Sequence, residues 1–225
     1  MALPHRDPAP EKTPEGWEKW TTTIVGGVFI GLISAEIMID YEPRKLGALF
    51  LLLAWGPLLF LHEAGHAIVA HWCGWNVERV VLGFGHRMKR FTIGRTVVDV
   101  RAIPIEGFVL PTPRDLKSPR LRSTLIYAAG PVAEAVLLVL IIIMVGWDTL
   151  LTSTDHPGMI AVQATCVAIV MGLIFNLIPH TTQTGGGHSW NDGMGILWSH
   201  RLPDEYFRSL IEGATQRNDV EKEPD

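Results

Sequence analysis

The sequence predicts an α-helical polytopic membrane protein with about four transmembrane helices and a membrane-associated β-hairpin region between the second and the third. Three observations carry that prediction. Apolar residues make up 48% of the 225 residues but are clumped into four runs, residues 24–39, 46–73, 124–147 and 159–178. Each is long enough, or nearly so, to cross a hydrocarbon core of about 30 Å at about 1.5 Å per residue. Between the second and third runs the pattern changes to alternation of apolar and polar residues with glycine punctuation, as strands require. The 19 lysines and arginines are also lopsided, with ten of them between residues 74 and 122.

The first run is the shortest and holds Gly26, Gly27 and Gly31, with Glu36 near its end. Residues 1–20 are mixed in charge and carry prolines, unlike the short basic start of a signal peptide, so the run is read as a span. Glu36 then reaches the interface beside Asp40 and Tyr41, as long polar side chains do at a membrane surface. With four spans, residues 1–20, 74–122 and 199–225 share one face, and the opposite face keeps only Arg44 and Lys45 among the lysines and arginines. Cytoplasmic flanks carry the excess of such residues, so both termini are expected in the cytosol. Residues 1–20 and 201–225 read as cytosolic tails around a core domain of residues 21–200, the charged "ATQRNDVEKEPD" end being solvated.

The second run contains "FLHEAGHAIVAHWC", residues 60–73, which places two histidines and a glutamate inside an apolar span. A charge at the bilayer centre costs about 2.5 to 3.5 kcal/mol even on lenient insertion scales, so intramembrane ionisable residues point to function. On a helix, His62 and His66 are four apart and differ by about 40°, so two imidazole nitrogens can meet one metal ion. Glu63 lies about 100° around, beside such an ion rather than on it. This is the H-E-x-x-H arrangement, two zinc ligands and a carboxylate able to take a proton from water. His71 faces away, near Trp72 and Trp75 at the interface, and reads as structural.

The stretches "VERVVLGFG", "MKRFTIG" and "TVVDVRAIPI" follow as two or three antiparallel strands, their basic residues suited to lipid headgroups. A sheet edge near the site could also take up an unwound peptide by strand addition. After the fourth run, "NLIPHTTQTGGGHSWNDGMGIL" breaks at Pro179, passes a triple glycine and resumes apolar character at Asp192-Gly193. A catalytic zinc commonly has three protein ligands and one open position. By chemistry alone Asp192, His180 or His188 could supply the third. The net charge of −4, without a basic stripe, gives a nucleic-acid role no support, and Cys73 and Cys166 make neither a disulfide framework nor a zinc knuckle.

Four stretches, in order, resemble the site-2 proteases, a family of intramembrane zinc metalloproteases: "FLHEAGHAIVA", the region from Gly83 to Val109, "AAGPVAE" at 128–134, and "NLIP" followed by Asp192-Gly193. The resemblance implies that His62, His66 and Asp192 bind Zn2+, that Glu63 is the general base, and that Asn176 helps to position substrate or Asp192. It also implies a transmembrane protein as substrate and a multi-pass location in the plasma membrane of a prokaryote. Two positions depart from the family pattern: Glu134 stands where an asparagine is usual, and Glu106-Gly107 where Gly-Gly is usual. The short connection from Val109 to Arg122 leaves no room for the PDZ domain of many relatives. Glu134 is expected to face the interior and replace the asparagine's hydrogen bonding to substrate or loop; its rival role is zinc ligand. Two other classes remain as alternatives, a noncatalytic metal-binding membrane protein of the same fold that binds or shields partners, and a metal transporter. A binder needs no general base, and a transporter gains little from a cluster confined to one helix.

Overall fold

A computed structural model of the chain describes residues 16–184 and 187–220. In order, the elements are α1 (Gly16–Ile39), α2 (Leu46–Trp72), β1 (Asn76–Ile93), β2 (Thr96–Thr112), α3 (Pro119–Val145), α4 (Trp147–Leu151), α5 (Pro157–Leu177), β3 (Thr181–Thr184), β4 (Gly187–Trp190), α6 (Asp192–Trp198) and α7 (Asp204–Val220). Residues 1–15 and 221–225, the outer parts of the two expected tails, lie outside the described residues.

Three helices among the described residues are long and apolar enough to cross a membrane: Pro43–Trp72, Pro119–Val145 and Pro157–Leu177. They correspond to the second, third and fourth apolar runs. α1 covers the first run, but the side chains of much of it lie outside the described residues, and it is not one of the three. Glu36 finds a partner there: Lys45 Nζ donates to its Oε1 at 2.9 Å and to Asp40 Oδ2 at 3.1 Å.

The three helices α2, α3 and α5 pack together with an inverted distribution of polarity. On α3 the buried positions are Pro119, Ser123, Ile126, Ala129, Gly130, Pro131 and Glu134, while Val132, Val136, Val139, Leu140 and Ile143 are exposed to the surroundings. In lipid, apolar side chains gain nothing by turning inward, and close contact through small residues holds helices together instead. Leu58, Ala168 and Ile169 form one apolar cluster between α2 and α5. A Cβ on Gly65 of α2 would stand 2.7 Å from the Ala129 carbonyl oxygen of α3, which shows how near the two backbones run.

β1 and β2 form an antiparallel hairpin region between α2 and α3. Pairing is antiparallel from Asn76↔Thr112 to Leu82↔Gly107 and again from Arg87↔Arg101 to Ile93↔Thr96. Arg79 to Leu82 also lie against Val97 to Val100, so each long strand bends and its two halves flank a segment of the other. Gly83 and Gly85 make that bend possible, with φ of 90° and 83°, a region closed to most side chains. Asp99, fully buried, holds these segments together: Arg79 donates to it through Nε at 2.7 Å and also through Nη2, and Arg90 through Nε at 2.6 Å.

Two readings of the sequence give way to tertiary packing. Trp75, expected near the interface, is completely buried within the protein, with its ring centroid 6.3 Å from that of Phe207. The 201–225 segment is not a simple tail: α7 runs through much of it and buries Tyr206 and Phe207 against Trp75 and Ala70. Both follow from one fact, that the apolar surface around Trp75 just after α2 needs a cover, and α7 supplies it.

Burial opposes ionisation of Asp99, but the Arg90 and Arg79 guanidiniums outweigh it and hold the carboxyl at about 2. A folded-state value below the unfolded one, near about 3.9, contributes stability that is complete above that value and lost as pH falls towards 2. The protection factors of the Val97 to Val100 amides, corrected for the intrinsic pH dependence of exchange, should therefore be steady above pH ~5 and fall between ~4 and ~2. Asp99→Asn should remove that dependence while loosening the hairpin at every pH.

Candidate metal centre

α2 presents His62, Glu63 and His66, which are 5%, 4% and 7% exposed. The two histidine Nε2 atoms lie 3.0 Å apart. Asp192, the first residue of α6, brings Oδ2 to 2.9 Å from His62 Nε2 and Oδ1 to 3.4 Å from His66 Nε2. The opposite side of each ring faces α3. His66 Nδ1 donates to the Ile126 carbonyl at 2.6 Å, and His62 Nδ1 lies 3.3 Å from Glu134 Oε1.

The His66 contact decides what that ring's inner atom offers. A neutral imidazole whose Nδ1 carries the proton presents a lone pair at Nε2. That lone pair, the Nε2 of His62 and the Asp192 carboxylate face one another in a buried place, a donor set that a cation can bind. One ligand atom from each of His62, His66 and Asp192 lies within 4.8 Å of the others. Two imidazole nitrogens and a carboxylate oxygen suit zinc, which binds them at about 2.0 to 2.2 Å. α3 leaves the space free: a Cβ on Gly130 would stand 2.6 Å from His62 Nε2 and nearer still to His66 Nε2.

The delivery of Asp192 depends on how α5 ends. Pro179 has no N–H to offer Phe175, so the last carbonyls of α5 need another donor. Asn191 provides it, its Nδ2 donating to Ile178 O at 2.7 Å and to Asn176 O at 2.9 Å. Its Oδ1 accepts from His180 N and from Met194 N, both at 3.1 Å, the second being the cap of α6. Gly193 then packs on Leu177, where a Cβ would collide with the carbonyl. Asn191 thus fixes the turn that aims Asp192. Sequence reasoning passed over it, although an asparagine directly before an Asp-Gly pair and an apolar run is an N-cap signal.

Of the residues singled out in the sequence, His62, His66 and Asp192 come together, and Glu63 lies on the neighbouring face of α2. Glu63 borders the hairpin: a Cβ on Gly107 of β2 would stand 2.9 Å from its Oε1. Glu134 is buried at 4% exposure, with its carboxylate toward His62. Asn176 contributes its carbonyl to Asn191. His180 is exposed, with Nδ1 3.0 Å from the Ile178 carbonyl, and stands outside the group; the side chain of His188 lies outside the described residues. His71 is exposed as well.

Residues 50–183 match the family profile described as Peptidase family M50. Among curated proteins, the chain is similar to Zinc metalloprotease RasP of Bacillus licheniformis, 40% identical over 58 residues, which is 26% of this chain and 14% of the relative. It is similar to Zinc metalloprotease RasP of Geobacillus kaustophilus at 31% over 91 residues, 38% of this chain and 22% of the relative. The Regulator of sigma-W protease RasP of Bacillus subtilis is 34% identical over 58 residues, 26% and 14% of the two chains. In each case the match covers less than a quarter of the relative's length.

Gly130→Ala should reduce the zinc bound per chain to the level of His66→Ala, because the added methyl occupies the place where the Nε2 atoms converge. Alanine is the better helix former, so unchanged helical circular dichroism alongside the metal loss locates the effect in the site.

Proposed function

The chain belongs to peptidase family M50, and from that premise we propose that it is an intramembrane zinc endopeptidase, hydrolysing a peptide bond in a transmembrane segment of a membrane-anchored protein. The observation that carries this reading is the convergence of His62 Nε2, His66 Nε2 and an Asp192 oxygen beside a buried glutamate on an otherwise apolar helix. Zinc, when bound, supplies Lewis acidity, polarising the scissile carbonyl and making water acidic enough to react near neutral pH. His62, His66 and Asp192 hold it, and Asn176 helps to keep Asp192 in place through the carbonyl that Asn191 grips.

Glu63 is the general base. It takes a proton from the attacking water and returns it to the leaving amine, and its burial beside Gly107 keeps bulk water from competing for it. Helical substrates hide their carbonyls in hydrogen bonds, so the substrate must unwind first. β2 offers a support for the unwound segment. It lies along α2, with Trp55 Nε1 donating to Ile105 O at 3.1 Å and Pro104 set against Gly56, and its course leads to Glu63 at Gly107. Pairing along that edge is backbone recognition, which tolerates many substrate sequences.

The name of one relative, Regulator of sigma-W protease, supports a regulatory protein as the substrate. The location proposed is the plasma membrane of a prokaryote, with α1 as a fourth span, the hairpin against lipid headgroups and both termini in the cytosol.

Glu63→Gln separates the enzyme from a noncatalytic zinc-binding protein. It should retain zinc and lower the rate of cleavage of a reconstituted single-span substrate by about 10²- to 10⁴-fold; undiminished cleavage would remove Glu63 from the mechanism. Topology is checked independently. Reporter fusions after residue 225 and within residues 85–95 should both be active in the cytosol, and a periplasmic signal at either site would overturn the four-span arrangement.

A further inference from the structure

One ionisable side chain at the centre has no part in the chemistry above. Glu134 is 4% exposed in the middle of α3, and its Oε2 meets no hydrogen-bond partner among the described residues. An isolated carboxylate in such surroundings is costly, so its retention calls for a compensating contact. Its nearest polar neighbour is the outer nitrogen of a proposed ligand, His62 Nδ1, 3.3 Å from Oε1.

Ile126, Gly130 and Glu134 are spaced by four residues and form one stripe of α3. Each meets the histidine pair differently. The Ile126 carbonyl accepts from His66 Nδ1, Gly130 leaves the gap in front of the two Nε2 atoms, and Glu134 stands behind His62. The stripe therefore treats the two imidazoles alike, with one acceptor behind each ring and open space before both.

We propose that Glu134 is the positioning residue of His62, accepting its Nδ1–H so that Nε2 is held as a lone pair directed at the metal, and that it is neither a ligand nor a substrate contact. The inference rests on the metal-site reading above. His62 Nδ1 and Nε2 lie on opposite sides of the ring, and Asp192 already occupies the Nε2 side at 2.9 Å. Glu134 thus reaches the one nitrogen that the ion does not use. At 3.3 Å the contact is an ion-pair distance with an oblique approach, and His62 Nδ1 has no fully formed hydrogen bond. On the α5 side the carboxylate faces Gly172, where even a Cβ would stand 3.4 Å from Oε2 and 3.5 Å from Oε1, an ordinary contact. Coordination of Nε2 by a cation makes Nδ1–H a stronger donor, and outer partners of this kind orient ligand histidines and raise their basicity.

The test is metal affinity, read without substrate. Full-length wild-type protein, purified in detergent, should bind one zinc per chain in competition with a chromophoric chelator; a wild type that binds none defeats the metal-site reading itself. Glu134→Met keeps length and bulk but offers no comparable acceptor, and should weaken zinc about 10- to 100-fold. Glu134→Gln keeps an acceptor oxygen without charge and should fall between wild type and Glu134→Met, with the wild-type tetrahedral cobalt absorption band. Wild-type affinity in both variants overturns the proposal, since a merely space-filling Glu134 predicts that result. A cobalt band altered in Glu134→Gln, or zinc lost outright from it, overturns it in the other direction by making Glu134 a ligand. Should Glu134→Met fail to fold, Glu134→Gln alone decides, because wild-type affinity or an altered band in that variant is equally fatal.

Discussion

Gly65 of α2 lies so near Ala129 of α3 that no side chain fits between them, and the rest of the centre is built on that approach. Only when the two backbones run this close can a main-chain carbonyl of α3 reach a histidine ring of α2, as Ile126 O does at 2.6 Å. The same approach places Gly130 opposite the Nε2 atoms and Glu134 behind His62. A hydrophobic driving force cannot hold such helices together in lipid, because the tails outside are as apolar as the leucines within. What holds them is close contact through small residues and the few polar bonds they admit. Structural and chemical roles therefore adjoin on α3: Ala129 and Gly130 let α2 approach, and Ile126 and Glu134 beside them face the imidazoles.

A second constraint operates at the end of α5, where the chain must leave its helix, turn, and present a carboxylate to the histidines. Pro179 opens the helix by withholding a donor, and Asn191 repairs the opening with both ends of one side-chain amide. Irregular backbone at this depth survives where it is buried in protein or lines a cavity, and here it does so by recruiting a cap. The short α6 then starts within reach of the histidines, and Asp192, as its first residue, is carried to 2.9 Å from His62 Nε2.

The hairpin region contributes rigidity and a boundary. Buried Asp99, paired with Arg79 and Arg90, ties the two halves of β1 to the segment of β2 between them. The hairpin rests on α2 through Trp55 and Pro104 and meets Glu63 at Gly107, where the second glycine of the usual Gly-Gly pair is kept and the first is replaced by the exposed Glu106. Retention of glycine at the inner position and loss of it at the outer one fit the space available at each.

By itself the sequence determined whatever depends on local composition and spacing. Three long apolar helices, the hairpin between two of them, and the shared face of His62 and His66 follow from hydropathy, alternation and the 3.6-residue turn, all written into neighbouring residues. It left Asp192, His180 and His188 open as a third ligand until resemblance favoured the first, because an i, i+4 rule says nothing about a residue 126 positions away from His66. Tertiary structure alone brought Asp192 to the histidines, buried Trp75 under a helix where a tail was expected, and turned Glu134 toward the outer nitrogen of His62. The reason is physical: hydrogen bonds across helices depend on how closely two backbones approach, and that distance is fixed by small residues packing against a partner far along the chain.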